Sequence, residues 1–231
     1  MSRSVWLVVW LIAAGIGAQQ LRADVAEKVA TGDAALAKFD LDGAIAAYRE
    51  ARQVAPADYE SAWKLARALV DKGTLTKERS GQKDFYMEAE RLAREAVRLD
   101  PKHSKGHTHL AIAVGKLALF EGGKRKVKLS DEVKAEVQKA IDLDPQDDLA
   151  YHVLGIWNRE VAELNWILRA FAELLYGKLP EASLDTAISN FQHAAELAPD
   201  TIPHQVELGI TLADARKWPE AKEPDSRAHE R

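Results

Sequence analysis

"DGAIAAYREARQVAP", residues 42–56, decides how this chain folds. Its apolar residues recur at helical spacing, and a proline closes it. The proline ring and its missing N–H cannot continue a helix. The stretch therefore predicts a helix with one apolar face and a fixed stop at Pro56. Three echoes follow: "MEAERLAREAVRLDP" (87–101), "DEVKAEVQKAIDLDP" (131–145) and "DTAISNFQHAAELAP" (185–199). Ala51, Ala96, Ala140 and Ala194 each lie five residues before the proline. A side chain that small lets a neighbouring helix approach closely.

Ahead of each stretch lies a second short apolar segment: "GDAALAKF" from Gly32, "AWKLARALV" from Ala62, "THLAIAVGKLALF" from Thr108 and "AYHVLGIW" from Ala150. A fifth starts at "QVELGITLADA", residues 205–215. Helices with one apolar face cannot bury it alone, so they stack into a solenoid. The pattern resembles the tetratricopeptide repeat, a helix–turn–helix of about 34 residues. Gly32, Ala66, Ala111, Gly155 and Gly209 fit the small residue of its first helix. Ala44, Ala89, Ala187 and Ala221 fit that of its second, and Val133 departs from it. The expected fold is all-α: a tetratricopeptide-like α-solenoid of about four and a half helical-hairpin repeats with insertions.

The closing prolines, Pro56, Pro101, Pro145 and Pro199, stand 45, 44 and 54 residues apart. Each unit is thus longer than the standard repeat. In the second, "GTLTKERSGQKD" (73–84) reads as a polar loop. In the third, "EGGKRKVKLS" (121–130) reads as a basic loop ending at an N-cap, Ser130, with Asp131 and Glu132 in the first turn. In the fourth, Ala150, Leu154, Trp157, Val161, Leu164, Leu168, Phe171 and Leu175 form one apolar stripe. That stripe predicts a single helix over 148–176, stopped by Gly177, with Pro180 opening the next.

The ends differ from the middle. Arg3 precedes "VWLVVWLIAAGI" (5–16), and Gly15, Gly17, Ala18 and Ala23 follow in or after that run. Basic, apolar, small is the order of a signal peptide, so residues 1–23 read as an export signal and 24–222 as the repeat domain. The protein is then expected outside the cytoplasm, periplasmic in a bacterium. The alternative is an uncleaved membrane anchor at 5–16. Residues 223–231 are polar and read as a frayed tail. The chain has no cysteine, which excludes disulfides and thiolate chemistry. A net charge of −4 does not favour nucleic acid as a partner.

Within this frame, "KLALFEGGKRKVKLSDEVKAEVQKAIDLDPQDDLAYHVLGIWNREVAELNW" (116–166) and "LYGKLPEASLDTAISNFQHAAELAP" (175–199) resemble the regulator of microtubule dynamics family. The resemblance covers roughly residues 25–218. It implies an all-helical repeat domain without a known catalytic site. It also implies kinship with eukaryotic proteins associated with microtubules and with mitochondrial or endoplasmic-reticulum membranes, here in a bacterial-type exported member.

First helices of such repeats line a concave groove. Trp63, Arg67, Thr108, Ile112, Lys116, His152, Ile156 and Arg159 are expected there. Arg67, Lys116 and Arg159 would offer three cations to a peptide carboxylate or acidic segment. The competing reading pairs them with Asp71, Glu160 or Glu163. Lys124, Arg125, Lys126 and Lys128 form a basic cluster able to touch an anionic membrane, and otherwise a solvated loop. His103, His107 and His109 read as a surface helix start, not as metal ligands, because Gly106 interrupts them. No HExxH, GxSxG or P-loop motif occurs. The chain reads as a non-enzymatic protein- or peptide-binding scaffold without cofactor or metal.

Overall fold

A computed structural model describes residues 3–164, 173 and 182–216, with side chains of the described residues from 19 onward. Among the described residues there are nine helices and no strand. The chain divides into two compact units, residues 1–100 and 101–231.

The first unit holds two hairpins, α1 (Arg3–Leu36) with α2 (Leu41–Val54) and α3 (Tyr59–Leu75) with α4 (Arg79–Leu99). α1 runs unbroken through residues 23 and 24. Among the described residues no helix is long and apolar enough to cross a membrane. The second unit holds α5 (Ser104–Ala118) with α6 (Gly123–Leu143), α7 (Asp148–Ala162) with α8 (Leu184–Leu197), and then α9 (Ile202–Asp214), which packs on α8.

The proline stops behave alike in all four hairpins. The residue before each proline is pushed towards extended backbone. Ala55, Asp100, Asp144 and Ala198 have φ near −136, −139, −143 and −138°. Each donates its N–H to the carbonyl of the alanine four back, Ala51, Ala96, Ala140 or Ala194. Those alanines are fully buried. The next first helix then opens three residues after the proline, at Tyr59, Ser104, Asp148 or Ile202.

Packing inside a hairpin follows the small residues. The Tyr48 ring on α2 lies where a side chain on Gly32 of α1 would stand, and a Cβ on Gly155 would come 2.8 Å from the Phe191 ring. Tyr48, Ala93, Val137 and Phe191 occupy the same place, eight before the proline, and all are fully buried. Aromatic rings occur there where the first helix has glycine. Alanine or valine occurs there where it has Ala66 or Ala111. The two helices of a hairpin thus share a nearly constant volume, as close packing demands.

Three sequence expectations are corrected. The loop expected at 73–84 shrinks to residues 76–78, because Thr74 and Thr76 bond back to the carbonyls of Val70 and Lys72 inside the turn. Gly73 is a packing glycine and not a turn: its hypothetical Cβ would stand 2.6 Å from the Tyr86 ring. The basic loop at 121–130 is also helical, since α6 starts at Gly123 and its N-cap is Gly122, not Ser130. Lys, Arg, Val and Leu all tolerate helix, and Arg125 pairs with Glu121 one turn back. In consequence α4 and α6 both run 21 residues where α2 and α8 run 14. Finally, the single helix expected over 148–176 stops at Ala162. Glu163 donates its N–H to the carbonyls of both Arg159 and Val161, a tightened last turn, and carries acidic charge at the unfavourable end of the helix dipole. The rest of that stripe and most of "LYGKLPEAS", along with the tail beyond residue 216, lie outside the described residues.

Candidate functional site

In the first unit, Asp58 opens α3 by accepting the Ser61 N–H at 2.7 Å. One turn on, α3 presents Trp63, half-exposed, and Arg67, exposed. The Lys64 ammonium lies 5.6 Å from the Trp63 ring centroid. Arg67 approaches Asp71 at only 4.0 Å, so a loose surface pair is its neighbour. Behind them Lys64 joins Asp33 at 2.6 Å and Glu60 at 2.7 Å, and the Tyr48 hydroxyl donates to Asp33 at 2.6 Å. Burial raises the Asp33 pKa, but Lys64 and Tyr48 outweigh it and hold the carboxyl below its ordinary range. Burial and the Asp33 carboxylate push the Tyr48 phenol up, so it stays a donor.

The second unit brings together residues that the sequence spreads over more than a hundred positions. On α5, Thr108 is buried and donates to Asp147 at 2.8 Å, while Lys105 reaches the other oxygen of Asp147 at 2.8 Å. Burial disfavours that carboxylate, but Lys105 first and the Thr108 and Ser104 hydroxyls after it hold its pKa below the ordinary value. His107 is buried too. Its two ring nitrogens face Glu136 at 2.6 Å and the Pro101 carbonyl at 3.1 Å. This corrects the expected surface helix start: α5 passes through Gly106, and His107 and His109 are buried.

On α7, His152 meets His204 of α9 through their Nδ1 atoms at 2.9 Å. The His204 Nε2–H donates to Asp148 at 2.9 Å. Burial, and then the neighbouring His204, lower the His152 pKa to about 4. Arg159 ends 2.6 Å from Glu207 and donates to Thr211 at 3.2 Å. It also lies over the Phe191 ring at 5.8 Å. So the expected groove set divides. Thr108, His152 and Arg159 are taken up in buried polar links between neighbouring first helices, and Arg159 is not an open cation. Its partner is Glu207, not Glu160 or Glu163. Ile112, Lys116 and Ile156 remain half-exposed. Lys124, Arg125, Lys126 and Lys128 are exposed along the first turns of α6.

Sequence reasoning missed His204 and Glu207. The available signal was three polar residues, His204, Glu207 and Thr211, recurring at three and four on a helix whose remaining residues are mainly apolar. Among the described residues no group of three or more His, Cys, Asp or Glu is placed to hold a metal. The arrangement links helices and offers apolar and cationic contacts; Glu207 Oε2 is buried without a hydrogen bond and is met only by the charge of Arg159.

The sequence profile described as Regulator of microtubule dynamics protein 1-3 matches residues 28–229. Regulator of microtubule dynamics protein 3 of Xenopus laevis is 33% identical over 140 residues, 61% of this chain and 30% of that protein. Regulator of microtubule dynamics protein 1 of Bos taurus is 32% identical over 144 residues, 62% of this chain and 45% of that protein. The chain therefore spans less than half the length of these relatives. In structure it is similar to TTC0263, a thermophilic TPR protein of Thermus thermophilus, with a TM-score of 0.53 at 16% identity, over 82% of this chain and 99% of that one. That likeness supports the helical-repeat fold.

Proposed function

The chain belongs to the regulator of microtubule dynamics family, and on that footing we propose that it is a non-enzymatic helical-repeat scaffold holding a protein or peptide segment against its first helices. One observation carries this reading. Ile112 on α5 and Ile156 on α7 stand 44 residues apart, as do Pro101 and Pro145, so they hold one register position. Both are half-exposed, whereas the polar residues beside them are committed to buried links. Lys116 flanks them at the C-terminal end of α5. Because Glu207 already neutralises Arg159, this surface suits a segment with apolar side chains better than a bare carboxylate. In the first unit Trp63 beside Arg67 offers the aromatic-plus-cation pairing common in binding hot spots.

We also propose that the protein works outside the cytoplasm. The basic, apolar, small order of residues 3–23 supports that location. Sequencing the N-terminus of the chain recovered from the cell envelope tests it; an intact Met1 would refute cleavage. For the scaffold reading, peptides selected from a displayed library against the full chain are expected to bind about tenfold more weakly to a Lys116→Glu, Ile112→Ser variant. Unchanged affinity would remove the groove assignment in the second unit. The same measurement on Arg67→Glu tests the first unit separately.

A further inference from the structure

Among the described residues, α9 buries His204, Thr211 and Leu212. Two of these three are polar, whereas α8 buries Ala187, Ile188, Phe191 and Ala194. Leu208 is half-buried, and Ile202, Val206 and Ile210 are exposed. The hold of α9 on α7 therefore falls on two polar links. One joins His204 to His152 and Asp148. The other joins Arg159 to Glu207 and Thr211. A link between two imidazoles depends on pH in the range where histidine titrates, which apolar burial does not.

The histidine link has room for few protons. An ionised carboxylate only accepts, so His204 Nε2 carries the hydrogen shared with Asp148. The two Nδ1 atoms, 2.9 Å apart, need one hydrogen between them. With both rings neutral, the His152 Nδ1–H donates to His204. With one extra proton on the pair, His204 becomes the donor, and His152 accepts with its own hydrogen on Nε2. The link survives that proton by exchanging roles. A second extra proton sets N–H against N–H and places two positive rings side by side, their centroids 4.9 Å apart. The contact then repels.

The charges facing the pair are Asp148 and Arg159 from α7 and Glu207 from α9. α8 presents the Phe191 ring to His152 at 5.5 Å, and its own His193 stands against Tyr151 and Glu196. On α5 and α6, Lys105 is turned to Asp147, His107 to Glu136, and Lys134 to the Trp157 ring. Burial first, and His204 second, lower the His152 pKa to about 4. Glu163, just past α7, works the other way: burial and the Asp214 carboxylate raise its pKa, so acid eases that contact. Glu163 is exposed, and solvent screens this opposing effect.

We propose that α9 is an acid-released latch: when the His152–His204 pair takes up more protons than its one shared hydrogen bond can place, α9 parts from α7 while α7 and α8 stay folded, uncovering His152 and Arg159 as open cations. The device does not depend on the role of Ile112, Lys116 or Ile156.

Hydrogen exchange of the full chain, read by mass spectrometry at pH 7 and 4.5 and corrected for intrinsic rates, tests it. With a pKa of 6.5 when released and about 4 when docked, His152 should raise the opening equilibrium of α9 about 60-fold between those pH values. At pH 4.5 the amides of α9 should open about tenfold more often than those of α7 and α8. His152→Gln should cut the rise to about threefold or less. Arg159→Met with Glu207→Met should keep it, because the histidine pair is intact. If α9 opens no more often than α7 and α8, the unit opens as a whole and the latch is overturned. The full rise persisting in His152→Gln also overturns it, and its loss in the Arg159→Met, Glu207→Met variant overturns it in favour of the ion pair. Where His152→Gln already leaves α9 open at pH 7, the order of opening in the unaltered chain and the double variant decide.

Discussion

Lowering the pH from 7 to 4.5 is expected to cost the second unit about 2.5 kcal/mol through His152 alone. The imidazole has an ordinary pKa of 6.5 and is held at about 4 in the folded chain, by burial first and by His204 second. The sign follows from proton uptake. As pH falls through 6.5 the unfolded chain binds a proton at this position, and the folded chain does not until about 4. Stability from the neutral, buried imidazole is therefore fully present above 6.5 and is lost between 6.5 and 4. The groups around it are named by the structure: His204 and Glu207 from α9, Asp148 and Arg159 from α7, and the Phe191 ring from α8 at 5.5 Å. Histidine Cε1–H signals in NMR should show one residue titrating near 4, absent in His152→Gln. Urea unfolding at pH 7 and 4.5 should show the acid loss shrinking by about 2.5 kcal/mol in that variant. Parallel losses in the two proteins, or an NMR midpoint at 6 or above, would refute the reasoning.

Other outcomes are read from the same unfolding experiment. Phe191→Ala empties the ring's place against Gly155 and should cost about 3–5 kcal/mol; Gly155→Val, forced within contact of that ring, should cost about 1–3 kcal/mol. Arg159→Met strands the Glu207 carboxylate and should cost about 2–3 kcal/mol, most of which Arg159→Met with Glu207→Met recovers; no recovery would mean the pair matters for something beyond charge. The Trp157 indole N–H donates to the Ser130 carbonyl at 2.9 Å, so Trp157→Phe should cost about 1 kcal/mol through that bond, and a neutral result would show that water replaces it.

How much of this was legible depended on the distance over which each cause acts. The proline stops, the alanines five before them and the hairpin glycines are local patterns, and all took the places expected. The insertions were misread because composition does not distinguish a glycine that bends the chain from one that admits a ring. Gly73 opens the polar stretch "GTLTKERS" (73–80), which looks like a loop, and Tyr86, thirteen residues on, explains it. The helix stripe through Trp157 and Val161 kept its period past residue 162, yet periodicity records burial and does not record where hydrogen bonding breaks. The pairing of two residues in the candidate groove was illegible for a different reason. Whether Arg159 is open or neutralised depends on Glu207, 48 residues away, and His152 depends on His204 at 52. No short window contains both partners.

The four matching proline turns have a consequence for how such a chain can change. Each hairpin takes its bearing from the alanine carbonyl and the proline at its base, and the next helix begins a fixed three residues later. Inserted residues enter at the opposite end, beyond that reference. Seven extra residues in α4 and in α6 lengthen an arm by two turns, about 10 Å, without moving its root. Arm length and the geometry of the turn at its base are thereby set by different residues. A hairpin can therefore be lengthened or shortened within its own unit while the turn at its base stays as it was.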